Sequence, residues 1–158
     1  ARDILPDLRQ SVDLLIVAYH GGFERDLQTG LPTESLTGEN EAYQLVEEYK
    51  DYIDALVTGH QHREIADHLF GVPVIQPGYR GAFVGEIELE LDNHKKVVAS
   101  NARLHKTENC KVSSEVNQLI SVVSEEAEDW LDQPMGEVHG EMIIRDPMTA
   151  RLNILILN

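Results

Sequence analysis

Two apolar runs, "VDLLIVAYH" at residues 12–20 and "IDALVTGHQH" at 53–62, flank an amphipathic stretch, and this arrangement constrains the fold more than any other feature of the chain. The first run is continuous and rich in branched residues, which predicts a buried strand covered on both faces, as parallel strands in α/β proteins are. Between the runs, "TGENEAYQLVEEYKDY" places Ala42, Leu45, Val46 and Tyr49 on one stripe with acidic residues toward its start, the pattern of an amphipathic helix. Strand, helix, strand is a βαβ unit, so the two runs are expected to pair in parallel and to end on the same edge of one sheet.

The remaining segments build outward from that unit. "ARDILPDLRQ" carries Ile4, Leu5 and Leu8 at helical spacing, with Pro6 tolerable only in a first turn. Glu24 to Thr37 is polar, contains Gly30 and Pro32, and reads as a surface loop. "FGVPVIQPGYRGAFVGEIELELD" and "KKVVASNARLH" show turn residues between short runs, with alternation from Glu86 to Leu91 that predicts antiparallel strands with one wetted face. "SSEVNQLISVVSEEAEDWLDQP" has a serine cap and apolar positions at Val116, Leu119, Ile120, Val123 and Ala127, a helix of about five turns stopped by Pro134. Trp130 lies on that stripe and is expected in a core or an interface. "GEVHGEMIIRDPMTARLNILILN" reads as one strand, a polar turn and an apolar end.

Charge and cysteine content narrow the partners. With 28 acidic against 13 basic residues and a net charge of −15, the chain lacks the clustered cations that a nucleic acid duplex or an anionic membrane requires. No run approaches the ~20 apolar residues of a membrane span. The single Cys110 excludes an internal disulfide and a multi-cysteine zinc site. The chain begins with Ala in what reads as the middle of a helix, and it is therefore expected to be an excised piece of a longer protein.

Three histidines follow strand ends. His20 closes the first run before Gly21 and Gly22, and His60 and His62 follow Gly59 after the second. Ligands of open α/β sheets bind at the carboxyl edge, so these imidazoles can converge although 40 residues separate them, and imidazole suits zinc, manganese, iron or nickel. Histidines at strand ends also occur as turn residues satisfied by water or a carbonyl; it is the combination of apolar strand, glycine and a second histidine-bearing strand end that favours a metal. His68, His94, His105 and His139 lack this context and read as surface residues. Asp13 and Asp54 begin strands, at the wrong end, while Glu24 and Asp26 read as solvated loop carboxylates rather than ligands.

"LLIVAYHGG", then "DALVTGHQH", then "VPVIQPGYRGAFVGEIELELD" resemble, in that order, the carboxyl-terminal half of the calcineurin-like metallophosphoesterase domain, and within it the bacterial 5′-nucleotidase and 2′,3′-cyclic-nucleotide 2′-phosphodiesterase group. The resemblance runs from about Ser11 to Asn153. It implies an α/β fold with mixed sheet layers flanked by helices, half of a metallophosphoesterase αββα sandwich, and a long connector helix. Residues 1–111 would be the carboxyl-terminal half of the metallophosphoesterase domain, 112–134 the connector, and 135–158 the start of a truncated nucleotide-recognition domain.

The resemblance further implies two divalent ions (zinc, manganese or iron) in a full-length parent, with His20 and His60 on one and His62 on the other. Two such ions clamp phosphate oxygens and activate water for in-line displacement. The family's GDxxD and GNHE motifs, which with its DxH motif supply the bridging carboxylate and a further histidine, are not in this sequence, its DxH match at Asp92–His94 falls in the hairpin turn, and three neutral imidazoles do not offset two divalent charges. No complete catalytic set is therefore expected here. In "QPGYRG", Tyr79 and Arg80 are the substrate-binding candidates at the site edge, Arg80 because its fork matches a phosphate, although a solvated turn arginine has the same sequence signature.

The expected function is thus that of a fragment of a metal-dependent phosphoric ester hydrolase acting on a nucleotide or cyclic nucleotide, inactive alone and needing the amino-terminal half of the same domain. Self-association through an unpaired strand edge is expected of such a fragment. By resemblance the parent would be extracellular, periplasmic or attached to the cell wall. The alternatives are a non-catalytic metal-binding or interaction module and a complete small metalloenzyme built at a dimer interface.

Overall fold

The computed structural model describes residues 1–136, and the readings of the segment beyond them, His139 included, lie outside the described residues. By its internal contacts the chain divides into Ala1–Cys110 and Lys111–Asn158. The first unit carries helices α1 (Leu5–Ser11) and α2 (Ala42–Tyr49) and strands β1 (Ile16–Tyr19), β2 (Ala55–Thr58), β3 (Glu64–Leu69), β4 (Val72–Pro77), β5 (Phe83–Leu91) and β6 (Val97–Lys106). The second carries α3 (Ser114–Leu131). The fold is mixed α/β, with one four-stranded sheet in the order β1-β2-β4-β3 and a separate β5–β6 hairpin.

The expected parallel unit forms. β1 and β2 pair in parallel from Ile16↔Ala55 to Tyr19↔Thr58, β2 pairs in parallel with β4, and β3 returns antiparallel to β4. At the amino ends, the Asp54 carboxylate accepts from the Leu15 N–H at 2.7 Å and from the Arg9 guanidinium, which ties α1 to the starts of β1 and β2. This is the structural duty of Asp54, away from the carboxyl edge. Asp13 pairs instead with Lys95 at 2.6 Å.

The core gathers on one side of the sheet. Phe23, Val46, Leu56 and Val74 are fully buried there, joined by Tyr43, Ile53, Ile65 and Leu69. The other side departs from the expectation of strands covered on both faces: Ile16 is 57% exposed and Val57 38% exposed. α1 and α2 pack one face only. On the other, the hairpin reaches β4 so closely that a Cβ on Gly85 would stand 2.7 Å from the Ile75 Cδ1. It leaves an apolar trough lined by Ile16, Val57, Ile87 and Leu89 among others.

Strand β3 was not legible in the sequence. Its burial reads exposed, buried, intermediate, intermediate, exposed, buried, so Asp67 and His68 interrupt the period-2 signal. α2 also begins later than its acidic residues suggest, with no acidic residue in its first turn. Its amino end is capped from elsewhere. The Ala42 N–H donates to the Gly22 carbonyl at 3.0 Å, and the Tyr43 and Gln44 N–H groups donate to the Glu24 carboxylate at 3.0 and 2.9 Å. Glu24 is only 4% exposed and so is not a solvated loop residue. A carboxylate in this place answers both the unpaired N–H groups and the positive end of the helix dipole.

α3 is a five-turn helix of 18 residues whose Ser113 hydroxyl accepts from the Val116 N–H at 3.3 Å. Trp130 is 71% exposed on it, which corrects the expectation of a core position, and no described residue of this helix is buried. No helix among the described residues is long and apolar enough to cross a membrane.

Two expectations follow from the loop after β1. Replacing Glu24 by Ala strips two helix N–H groups of their acceptor and should lower unfolding stability by about 1–2 kcal/mol, read as a shifted urea midpoint at unchanged slope. The Asp26 carboxyl is held below its ordinary value of 3.8, first by the Thr29 hydroxyl and then by the Thr29 N–H. A depressed carboxyl contributes stability above its unfolded pKa and loses it as pH falls through the lower folded value. Asp26→Asn should therefore lower the plateau of stability above pH 3.8 and flatten the acid-denaturation curve below it, so that the two curves converge at low pH.

Candidate metal-binding edge

The level register of β1 and β2 brings His20 and His60 to the same edge. Tyr19 and Thr58 are direct partners, so the residues that follow them leave the sheet side by side. The His20 and His60 rings meet edge to face, with centroids 5.4 Å apart. His60 Nε2 also lies 2.9 Å from the Glu39 Oε1, a partner that the sequence reading did not single out.

The second loop turns sharply. His60 and His62 both have positive φ, 67° and 58°, with Gln61 between them. Side chains other than glycine reach this region at a cost of about 1 kcal/mol, and it is over-represented at ligand sites. His62 lays its ring flat on Tyr79, centroids 5.2 Å apart and planes 15° apart, and the Arg80 guanidinium stands 5.4 Å from the same Tyr79 ring. Arg80 itself has φ 56°. The rings therefore form two pairs, His20 with His60 and His62 with Tyr79. Tyr79, His62 and Arg80 together make a flat, exposed aromatic and cationic surface.

Backbone and side-chain amides fix both loops. The Gln61 amide accepts from the Phe23 N–H at 2.9 Å and donates to the Phe23 carbonyl at 3.1 Å. Gln76, fully buried in β4, accepts from the Arg63 N–H at 2.7 Å and donates to the Thr58 hydroxyl at 3.2 Å. Neither Gln61 nor Gln76 was anticipated, nor Asn40, whose Oδ1 accepts from the Gly22 N–H, nor Glu34, whose carboxylate accepts from Gln61 and Asn40. Gln61 stood inside the HxH motif, and Asn40 just ahead of a helix start; those positions were the signals available.

The donor chemistry suits a cation only in part. Two imidazoles 5.4 Å apart, with Glu39 beside one of them, are nitrogen and oxygen donors of the kind zinc or manganese takes. No three His, Cys, Asp or Glu side chains converge as a complete metal cradle among the described residues. His68 and His105 are exposed, His68 hydrogen-bonded to Ser100 and His105 facing Glu86, and His94 is exposed in the β5–β6 turn, so these three stay apart from the edge, as expected of surface residues.

Comparison with known proteins follows the same outline. A protein of Staphylococcus aureus designated a 5′-nucleotidase, crystallised with alpha-ketoglutarate, matches with a TM-score of 0.75 and 37% identity over 93% of this chain and 29% of its own. A calcineurin-like phosphoesterase of Bacillus subtilis, 22% identical, shares the fold at a TM-score of 0.66 over 83% of this chain and 43% of its own. A 2′,3′-cyclic-nucleotide 2′-phosphodiesterase/3′-nucleotidase of Salmonella typhimurium is 31% identical over 108 residues, which is 59% of this chain and 16% of that protein. No family model matches the chain. The chain thus spans less than half of the length of each of these proteins. In fold and in sequence it is similar to one part of the calcineurin-like phosphoesterases of the 5′-nucleotidase and 2′,3′-cyclic-nucleotide phosphodiesterase group.

Proposed function

We propose that this chain is part of a two-metal phosphoesterase that hydrolyses nucleotide phosphoesters, as a 5′-nucleotidase or a 2′,3′-cyclic-nucleotide phosphodiesterase. The observation that carries the reading is the pairing of His20 and His60, 5.4 Å apart at the level carboxyl ends of two parallel strands. In this reading His20 and His60 give nitrogen ligands to one divalent ion and His62 to a second, and the carboxylates that complete the set come from the amino-terminal half of the domain. Bound metal would supply charge stabilisation at the phosphate and a nucleophilic water.

The chain's own residues then have separable tasks. His20 and His60 are presented by the sheet edge, and their loops are held to each other through the Gln61 amide on the Phe23 peptide. Tyr79 stacks on the His62 ring and offers its exposed face at the site margin, while Arg80, beside the same ring, offers a guanidinium fork to a phosphate oxygen. The net charge of −15 works against a polyanionic partner but not against a phosphate that is met by metal ions. Alone, the chain lacks the carboxylate complement and is inactive; the parent enzyme is exported to the periplasm, cell wall or exterior.

The 158-residue chain, assayed on 5′-nucleotides and 2′,3′-cyclic nucleotides with added manganese or zinc, should show no turnover above a protein-free blank; robust turnover sinks the fragment reading. Calorimetry with zinc should show binding to the unaltered chain that weakens by roughly tenfold or more in His60→Ala, in line with the loss of one ligand from a small set. Equal zinc uptake by the unaltered chain and by His20→Ala, His60→Ala and His62→Ala would instead favour a non-catalytic interaction module.

A further inference from the structure

We infer that Gln61 is the positioning residue of this edge: its amide latches the His20 loop onto the loop that carries His60 and His62, and Glu34 with Asn40 completes the latch. The inference rests on the reading that His20 and His60 belong to one site, and it adds the group that keeps them together. Gln61 lies between the two left-handed histidines, so its side chain leaves the loop in a direction fixed by their backbone. There it pairs with both polar groups of Phe23, three residues beyond His20.

The geometry uses the whole amide. Gln61 Oε1 accepts from the Phe23 N–H, and Nε2 donates to the Phe23 carbonyl and, at 3.0 Å, to the Glu34 Oε2. Glu34 Oε1 accepts from the Asn40 Nδ2 at 2.8 Å, and Asn40 Oδ1 accepts from the Gly22 N–H. One carboxylate thereby joins two side-chain amides, and each amide holds the backbone of a neighbouring residue in the His20 loop. Room for this exists because residue 22 is glycine: a Cβ there would stand 2.1 Å from the Gln61 Cδ.

Phe23 converts the latch into position. Its ring is fully buried, so its peptide is fixed by the core, and whatever grips that peptide is referenced to the core as well. The direct backbone link between the loops, Gly59 N–H to the Gly21 carbonyl, is long at 3.3 Å and cannot alone set the separation of the rings. Gln61 touches neither a substrate nor a reacting atom in this account; it acts through His20 and His60.

The test is the His20–His60 ring contact itself, read by side-chain nuclear Overhauser cross-peaks in the metal-free 158-residue chain, with β3–β4 backbone cross-peaks as the control for folding. Gln61→Ala and Gln61→Glu should lose the ring cross-peaks while keeping those of β3–β4. Gln61→Met keeps the length and most of the volume of the side chain without its donor and acceptor, so it should lose the ring cross-peaks as well, with less risk to the fold. An undiminished ring contact in Gln61→Ala or in Gln61→Met overturns the inference; should Gln61→Ala also lose β3–β4 pairing, Gln61→Met decides. The measurement needs no metal, so it stands apart from the zinc calorimetry that tests the site reading.

Discussion

The parallel pairing of β1 with β2 is the constraint on which the rest depends. A parallel pair cannot be closed by a tight turn, so the chain must cross over through α2, and both carboxyl ends then open on one edge. With Tyr19 opposite Thr58 the ends are level, and the two following loops start from neighbouring points. A different register would move one histidine along the strand direction by about 3.3 Å per residue and separate the rings.

The crossover also explains why the loop after β1 is ordered although it is mostly polar. The amino end of α2 has N–H groups without helical partners, and the Gly22 carbonyl and Glu24 carboxylate supply acceptors for them. Residues 20–24 therefore carry His20, a helix cap and a buried aromatic. Each of those duties restricts the others, because the loop cannot shift toward the second histidine without releasing the helix.

How much of this could be read from residues alone varied with the range of the interaction. The βαβ unit, the hairpin and α3 followed from periodicity, since alternation and the 3.6-residue stripe are local signals. The convergence of His20 and His60 followed from topology once the strands were placed. Glu24, Glu34, Asn40 and Gln76 did not follow, because their roles are polar contacts made with partners 6 to 27 residues away. Nothing in the spacing of a glutamate tells whether water or a distant helix end will take its oxygens. The exposed face at Ile16 and Val57 was misread for a related reason: an apolar run shows what a strand tolerates, not what covers it.

The left-handed backbone at His60 and His62 has a consequence for the energetics of ligand capture. A loop that had to adopt two such conformations on binding would lose affinity to the strain and to the ordering of its side chains. Here the bend exists beforehand and is maintained by the core through Gln76 and the sheet. Folding has already borne the reorganisation cost, so an incoming ion or phosphate would meet histidines that are preorganised rather than recruited.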